Sequence, residues 1–173
     1  MPTIAALAAA ARSGGDPQVV GRTAAACAAV TRRSAALERT AAAWGNFIGR
    51  ALLRSHTNNT DANRLESNLV QFAKEAGLPR PKSRNQMTAC YLQSALPAMV
   101  DNLMMYQNQP VWQALLANAN TGGENVHRGS CLGAALGLYA ADEPGGIPEH
   151  LQKGLYHYQE IATEIDAFVA AVL

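Results

Sequence analysis

The chain has 173 residues, of which 49% are hydrophobic, 16% charged and 6% aromatic, and its formal net charge is +1. This length suits one domain with a proper core, residues 1–173, and is too short for two comfortable ones. The near-neutral charge argues against a nucleic-acid partner, and no apolar run reaches the roughly 18 residues that a membrane-spanning helix needs.

Helical periodicity recurs along the chain, whereas the alternation typical of strands is almost absent. Pro2 lies near the start of a short first helix, which ends before Ser13. Asp16 is a suitable N-cap for a second helix, because Pro17 fits the first turn, and this helix runs to about Val30. The N-terminal segment therefore predicts two consecutive helices.

The middle of the chain continues in the same pattern. Ser34 is the expected cap of a third helix, residues 35–54, and a fourth helix is expected to stop at Gly77. The apolar segment 87–106 contains Pro97, which removes one helical hydrogen bond. We expect a break or kink there, between two helices.

Two further helices, from Pro110 to about Asn118 and from about 125 to 140, lie on either side of a glycine-rich loop. The second has glycine at every fourth position, which predicts a central helix that a neighbour approaches closely. These positions are Gly129, Gly133 and Gly137. An amphipathic helix closes the chain, with apolar residues at Ile161, Ile165, Phe168, Val169 and Val172. The predicted fold is an all-α, orthogonal multi-helix bundle.

Three cysteines, Cys27, Cys90 and Cys131, lie in apolar surroundings without the spacing of a metal or redox motif. Buried, reduced thiols are the expected state, as in an intracellular protein. No basic segment precedes the apolar N-terminus, so a secretory signal is not expected. The predicted location is the cytoplasm.

The glycine-rich loop between these two helices contains most of the side chains that could bind a ligand or a metal ion. Its sequence is Thr-Gly-Gly-Glu-Asn-Val-His-Arg-Gly-Ser, residues 121–130. Backbone amides before a helix favour an anion such as phosphate, and Glu124 is an oxygen ligand suited to magnesium or calcium. Asn120 or Asn125 could add a carbonyl oxygen to a metal, and His127 and Arg128 could hold a phosphate or polarise a leaving group.

A purely structural interpretation explains the same residues. Thr121 or Asn125 can cap the following helix, Glu124 can offset its dipole, and Arg128 can pair locally. A glycine-rich loop alone does not decide between a ligand site and a capped helix start.

The loop belongs to a set of three sequence motifs that follow one another along the chain. The first is the apolar segment 87–99 with its tyrosine and proline, the second is residues 114–137 around Gly-Gly-Glu, and the third is the Ile-Pro turn in residues 146–151. In this order they resemble the C-terminal half of the ADP-ribosylglycohydrolase (crystallin J1-related) family. The resemblance is good over residues 87–155 and loose over residues 16–75.

The resemblance implies an all-α hydrolase that binds two magnesium ions and cleaves the glycosidic linkage of ADP-ribose. It implies Glu124 as a metal ligand and the surrounding loop as the binding site of ADP-ribose or an ADP-ribosylated molecule. The expected substrate-binding residues are Asn118, Asn120, Gly122, Gly123, Asn125, His127 and Arg128. No catalytic residue can be assigned.

The chain departs from the family pattern in two places. The family motif Gly-Gly-Asp-x-Asp-Thr has its second acid where this chain has Val126 and its hydroxyl where this chain has His127. The N-terminal Ser/Thr-Asp-Asp-Thr motif is absent, because no two aspartates of the chain are adjacent. Valine cannot bind a metal, and magnesium seldom chooses histidine.

Three hypotheses follow from these departures. The chain is a hydrolase-like protein with its site at residues 120–128, a non-catalytic domain that binds ADP-ribose or phosphate, or a truncated product that a second polypeptide completes. The first and third hypotheses are compatible with each other.

Overall fold

A computed structural model describes residues 2–53, 65–78, 91–140 and 146–173. Within these residues the secondary structure is entirely helical, which confirms the predicted all-α bundle. The helices are α1 (Pro2–Ser13), α2 (Pro17–Thr31), α3 (Ala35–Leu53), α4 (Leu65–Ala76), α5 (Leu92–Tyr106), α6 (Val111–Thr121), α7 (Asn125–Ala140), α8 (Glu149–Lys153) and α9 (Tyr158–Val172). Cys90 and the first residues of the predicted helix at 87 lie outside the described ranges.

Local capping chemistry explains where several helices begin and end. The Asp16 side chain accepts a hydrogen bond of 2.9 Å from the backbone nitrogen of Gln18, and Pro17 is the first residue of α2, as predicted. Gly77 has a φ of 68° directly after α4, a conformation that glycine adopts without strain. The α6 helix extends to Thr121, three residues beyond its predicted end.

The core is centred on α3, which has buried residues on most of its circumference. The rings of Trp44 and Phe47 stack with their centroids 5.1 Å apart, and Phe72 of α4 meets both rings at steep angles. The apolar core continues through α5, α6 and α7, including the fully buried Leu103 and Leu132. One core therefore joins α1 to α7.

The closest helix contact involves glycines other than the predicted ones. A Cβ atom on Gly45 of α3 would lie 2.7 Å from the carbonyl oxygen of Val20 in α2. In α7, a Cβ on Gly129 would lie 3.0 Å from Asn118 Nδ2, but one on Gly137 would meet no atom within 4 Å. The predicted close approach to the α7 glycines therefore holds at Gly129 but not at Gly137, and α2 and α3 approach each other more closely.

Pro97 does not divide its segment into two helices. It lies in the second turn of α5, which runs without a break from Leu92 to Tyr106. Proline removes only the hydrogen bond to the carbonyl of Gln93, and Gln93 is exposed, so water can satisfy that carbonyl. Burial of the Pro97 ring adds apolar contact in return.

The last helix lies against the rest of the chain with little burial. The predicted amphipathic helix is present as α9, but none of its residues is buried, and Ile165 is 56% exposed. A groove of about 580 Å³ lies between α7 and α9, lined by Gly133 and Gly137 on one side and by Ile161 and Ile165 on the other. None of the helices in the described part of the chain is long and apolar enough to cross a membrane.

Candidate functional site

A tight turn of three residues joins α6 to α7 and forms the centre of the candidate site. Gly122 and Gly123 have φ values of 75° and 64°, a region that residues with a Cβ rarely adopt. The backbone nitrogen of Asn125 donates to the Gly123 carbonyl at 2.8 Å, which starts α7 at once. The paired glycines therefore let the chain reverse between two helices without a longer loop.

Asn118, near the end of α6, fixes the beginning of α7. The residue is 3% exposed, and its Nδ2 atom donates to the carbonyl oxygen of Asn125 at 2.7 Å. Its Oδ1 atom accepts a hydrogen bond of 2.5 Å from Arg128 Nε. Because both polar ends of this amide are engaged, the first turn of α7 is held against α6.

Arg128 reaches back from α7 to the inner side of the same turn. Its Nη2 atom donates to the Gly122 carbonyl at 2.8 Å, and the residue is only 4% exposed. Burial lowers the pKa of this guanidinium, but arginine stays protonated in proteins at neutral pH. The turn thus encloses a permanent positive charge of the chain itself.

Glu124 and His127 form an acid–imidazole pair on the outer side of the turn. Glu124 Oε2 lies 2.7 Å from His127 Nδ1. The Glu124 side chain is 33% exposed and that of His127 is 86% exposed, so the imidazole is the part that faces solvent. Val126, between them in sequence, is 77% exposed and offers only methyl groups.

The remaining predicted residues lie around this framework. Asn125 Nδ2 donates to the Ala119 carbonyl at 3.4 Å, and the Thr121 hydroxyl donates to the Ala117 carbonyl within α6. Asn120 and Gly123 are exposed. The structure therefore brings Asn118, Gly122, Asn125 and Arg128 into one hydrogen-bonded group and places Glu124 and His127 beside it as a pair.

A second polar cluster, which the sequence analysis did not identify, lies between α3, α4 and α7. Asn68 donates to the Phe47 carbonyl at 2.9 Å and to the Tyr139 hydroxyl at 2.8 Å, and it accepts from Arg50 Nε at 2.6 Å. Glu75 accepts from Arg50 Nη1 at 2.9 Å. The polar residues of this cluster are spaced three or four apart, at positions 46 and 50 in α3 and at 68, 71 and 75 in α4. This spacing places them on one face of each helix, and it is the sequence feature that could have predicted the cluster.

The family comparison supports the resemblance and extends it. A model of the family described as ADP-ribosylglycohydrolase matches residues 1–172. The chain belongs to this family. The match covers nearly the whole chain and is not confined to residues 87–155. No curated protein and no solved structure matches the chain.

The described residues do not fit the two magnesium ions that family membership implies. A site for two divalent ions needs several carboxylates close together. Within residues 2–53, 65–78, 91–140 and 146–173, no group of three or more histidine, cysteine, aspartate or glutamate side chains could hold a metal ion. At the turn itself, Glu124 contributes one carboxylate and Val126 contributes none.

Proposed function

We propose that this member of the ADP-ribosylglycohydrolase family binds ADP-ribose, free or attached to another molecule, at the turn between α6 and α7. The turn and the first residues of α7 present backbone N–H groups at the positive end of a helix of 16 residues, which favours a diphosphate. The imidazole of His127, whose side chain is 86% exposed, is a second polar group that a ligand can contact beside the turn. The proposed contacts are Asn118, Asn120, Gly122, Gly123, Asn125, His127 and Arg128.

One observation favours a binding function over hydrolysis by this chain alone. Glu124 is the only carboxylate in the stretch from Asn118 to Arg128, and it is paired with His127. Cleavage of a glycosidic linkage generally uses two acidic groups or a metal-activated water. We therefore propose that hydrolysis of an ADP-ribosyl linkage requires acidic side chains from outside this stretch.

Isothermal titration calorimetry with ADP-ribose tests the binding proposal. The wild-type chain is expected to bind, and His127→Ala is expected to weaken binding because it removes the solvent-facing imidazole. His150→Ala is the matched control, since His150 is an exposed histidine on α8 and lies outside residues 118–128. Absence of binding by the wild type, or equal weakening by both variants, would contradict the proposal.

A direct assay separates binding from hydrolysis. Incubation of the chain with an ADP-ribosylated substrate is expected to release no ADP-ribose, even at high protein concentration. Release that scales with protein concentration and disappears in Glu124→Gln would show that the chain is a hydrolase by itself. That result would favour hydrolysis over the binding role.

A second polypeptide that completes the domain is a second candidate, favoured by the groove between α7 and α9. Gly137 faces open space there, and the apolar residues Ile161 and Ile165 of α9 are 41% and 56% exposed. Apolar surface of this kind invites association. Light scattering coupled to size-exclusion chromatography is expected to show a species heavier than one chain, whereas a monomer that melts cooperatively at all concentrations argues against a partner.

The proposal also includes one domain over residues 1–173 and a cytoplasmic location. A shared apolar core that joins α1 to α7 supports the single domain. Free thiols at Cys27 and Cys131 support a reducing compartment.

A further inference from the structure

Three oxygen atoms that a metal ion could use at the α6–α7 turn contact nitrogen atoms of the chain's own side chains. Oxygen atoms of carboxylates, amides and backbone carbonyls are the ligands that magnesium prefers. The three atoms at the turn are Glu124 Oε2, Asn118 Oδ1 and the carbonyl oxygen of Gly122. Each accepts a hydrogen bond or ion pair from the side chain of Arg128 or His127.

The guanidinium of Arg128 occupies the position on the inner side of the turn where a bound metal ion would contact the same oxygen atoms. Its guanidinium bridges the end of α6 and the turn, because Nε contacts Asn118 and Nη2 contacts Gly122. A divalent ion bound to the same two oxygen atoms would approach a fixed positive charge to within a few ångströms. Repulsion between like charges at that distance disfavours the ion strongly in a buried setting.

The outer side of the turn offers a metal ion no better position. A metal that used Glu124 Oε2 would have to separate it from His127 Nδ1, 2.7 Å away. Within residues 118–128 the formal charges of Glu124 and Arg128 cancel, so this stretch itself carries no excess negative charge that would attract a divalent cation. An anion, in contrast, meets the α7 N-terminus and the exposed imidazole.

We infer that two side chains of the chain itself, Arg128 and His127, organise this turn in place of magnesium, and that ADP-ribose binds to it without a divalent ion. The choice of ADP-ribose as the ligand in this inference rests on the proposed function. It departs from the family pattern at the positions where Val126 and His127 replace an acid and a hydroxyl. The class of ligand is retained, and the metal requirement is lost.

Magnesium alone is the first probe. Thermal unfolding of the wild-type chain is expected to give the same Tm with EDTA and with saturating magnesium, and calorimetry is expected to show no saturable magnesium binding. ADP-ribose is expected to bind with the same Kd in both buffers. Saturable magnesium binding, or a lower Kd for ADP-ribose in magnesium, would overturn the inference.

Two double variants test whether Val126 and His127 are the reason that the turn does not bind magnesium. Val126→Asp with His127→Thr introduces a second carboxylate and frees Glu124 from the imidazole, and its Tm is expected to rise with magnesium. Val126→Ala with His127→Thr also removes the imidazole but adds no acid, so its Tm is expected not to respond. Both positions are exposed, and circular dichroism checks that each variant folds.

The outcomes separate the inference from the proposed function. A Val126→Asp, His127→Thr variant that folds but ignores magnesium would overturn the role given to His127, because exclusion of the ion would then rest on Arg128 alone. Failure of ADP-ribose to bind under any condition would overturn the proposed function. The response of Tm to magnesium alone would still decide whether the turn needs a metal.

Discussion

Arg50 in α3 and Arg128 in α7 are held in the same way but lie in different parts of the molecule. Each donates from Nε to the side-chain oxygen of a buried asparagine, Arg50 to Asn68 and Arg128 to Asn118. Each asparagine in turn donates from Nδ2 to a backbone carbonyl. The two arginine–asparagine units therefore have the same local chemistry.

The two units differ in the position of the nearby carboxylate. In the α3–α4 unit, Glu75 forms an ion pair with Arg50, and both side chains are only about one quarter exposed. In the α6–α7 unit, Glu124 contacts the imidazole of His127, whose side chain is 86% exposed. The first unit joins helices within the fold, whereas the second presents a polar pair to solvent. This difference in exposure separates a structural joint from a candidate binding site.

Removal of Asn68 is expected to have the largest effect on stability. Asn68→Ala removes the hydrogen bonds to the Phe47 carbonyl, the Tyr139 hydroxyl and Arg50, and leaves these groups without that partner in the interior. Unsatisfied buried polar groups predict a loss of about 3 kcal/mol in the free energy of unfolding. Urea denaturation measures it. A loss no larger than that of Ser67→Ala, its exposed neighbour, would contradict the structural role.

Removal of the equivalent asparagine at the turn is expected to cost less stability. Asn118→Ala loses two hydrogen bonds, to the Asn125 carbonyl and from Arg128 Nε, whereas Asn68→Ala loses three. A loss of about 2 kcal/mol in the free energy of unfolding is expected. Urea denaturation gives this value, and calorimetry with ADP-ribose is expected to show weakened binding. A variant that loses stability as much as Asn68→Ala but binds normally would remove the distinction between the two units.

The acid dependence of stability is expected to arise in the α3–α4 unit. Burial alone would raise the pKa of Glu75, but hydrogen bonds from Gln71 and Asn46 and the charge of Arg50 outweigh burial and lower it below 4.5. Because the pKa is lower in the folded state, this carboxylate stabilises the fold above pH 4.5, and the contribution is lost as the pH falls below that value. Urea denaturation across this range is expected to show a weaker pH dependence in Glu75→Gln than in the wild type. Equal pH dependence in both proteins would show that Glu75 is not responsible.

The helix ends that could be predicted from the sequence are those determined by residues close to them in the chain. The Asp16 and Pro17 start of α2, the Gly77 end of α4 and the start of α7 at Asn125 all follow from local capping and turn chemistry. The fourfold spacing of glycines was also visible, but spacing does not say which helix a glycine face will meet. Gly45 meets α2 closely, while Gly137 meets open space.

The candidate site was located from the sequence, but its internal arrangement was not. Residues 118–128 were identified because glycine, acidic and basic residues cluster there. The burial of Arg128 depends on Asn118, ten residues earlier, which reaches it only because two glycines reverse the chain. A contact of that kind is set by tertiary packing and leaves no periodic signal in the sequence.

The smallest effect on stability is expected from the outermost residue of the turn. His127→Ala removes the contact with Glu124, but polar contacts of exposed side chains contribute little because solvent competes with them. The free energy of unfolding is therefore expected to change by less than about 0.5 kcal/mol, while ADP-ribose binding weakens. Urea denaturation and calorimetry on the same preparation measure both effects. If His127→Ala lowered stability as much as Asn118→Ala does, the Glu124–His127 pair would be part of the structural joint, and the contrast between the two arginine–asparagine units would no longer hold.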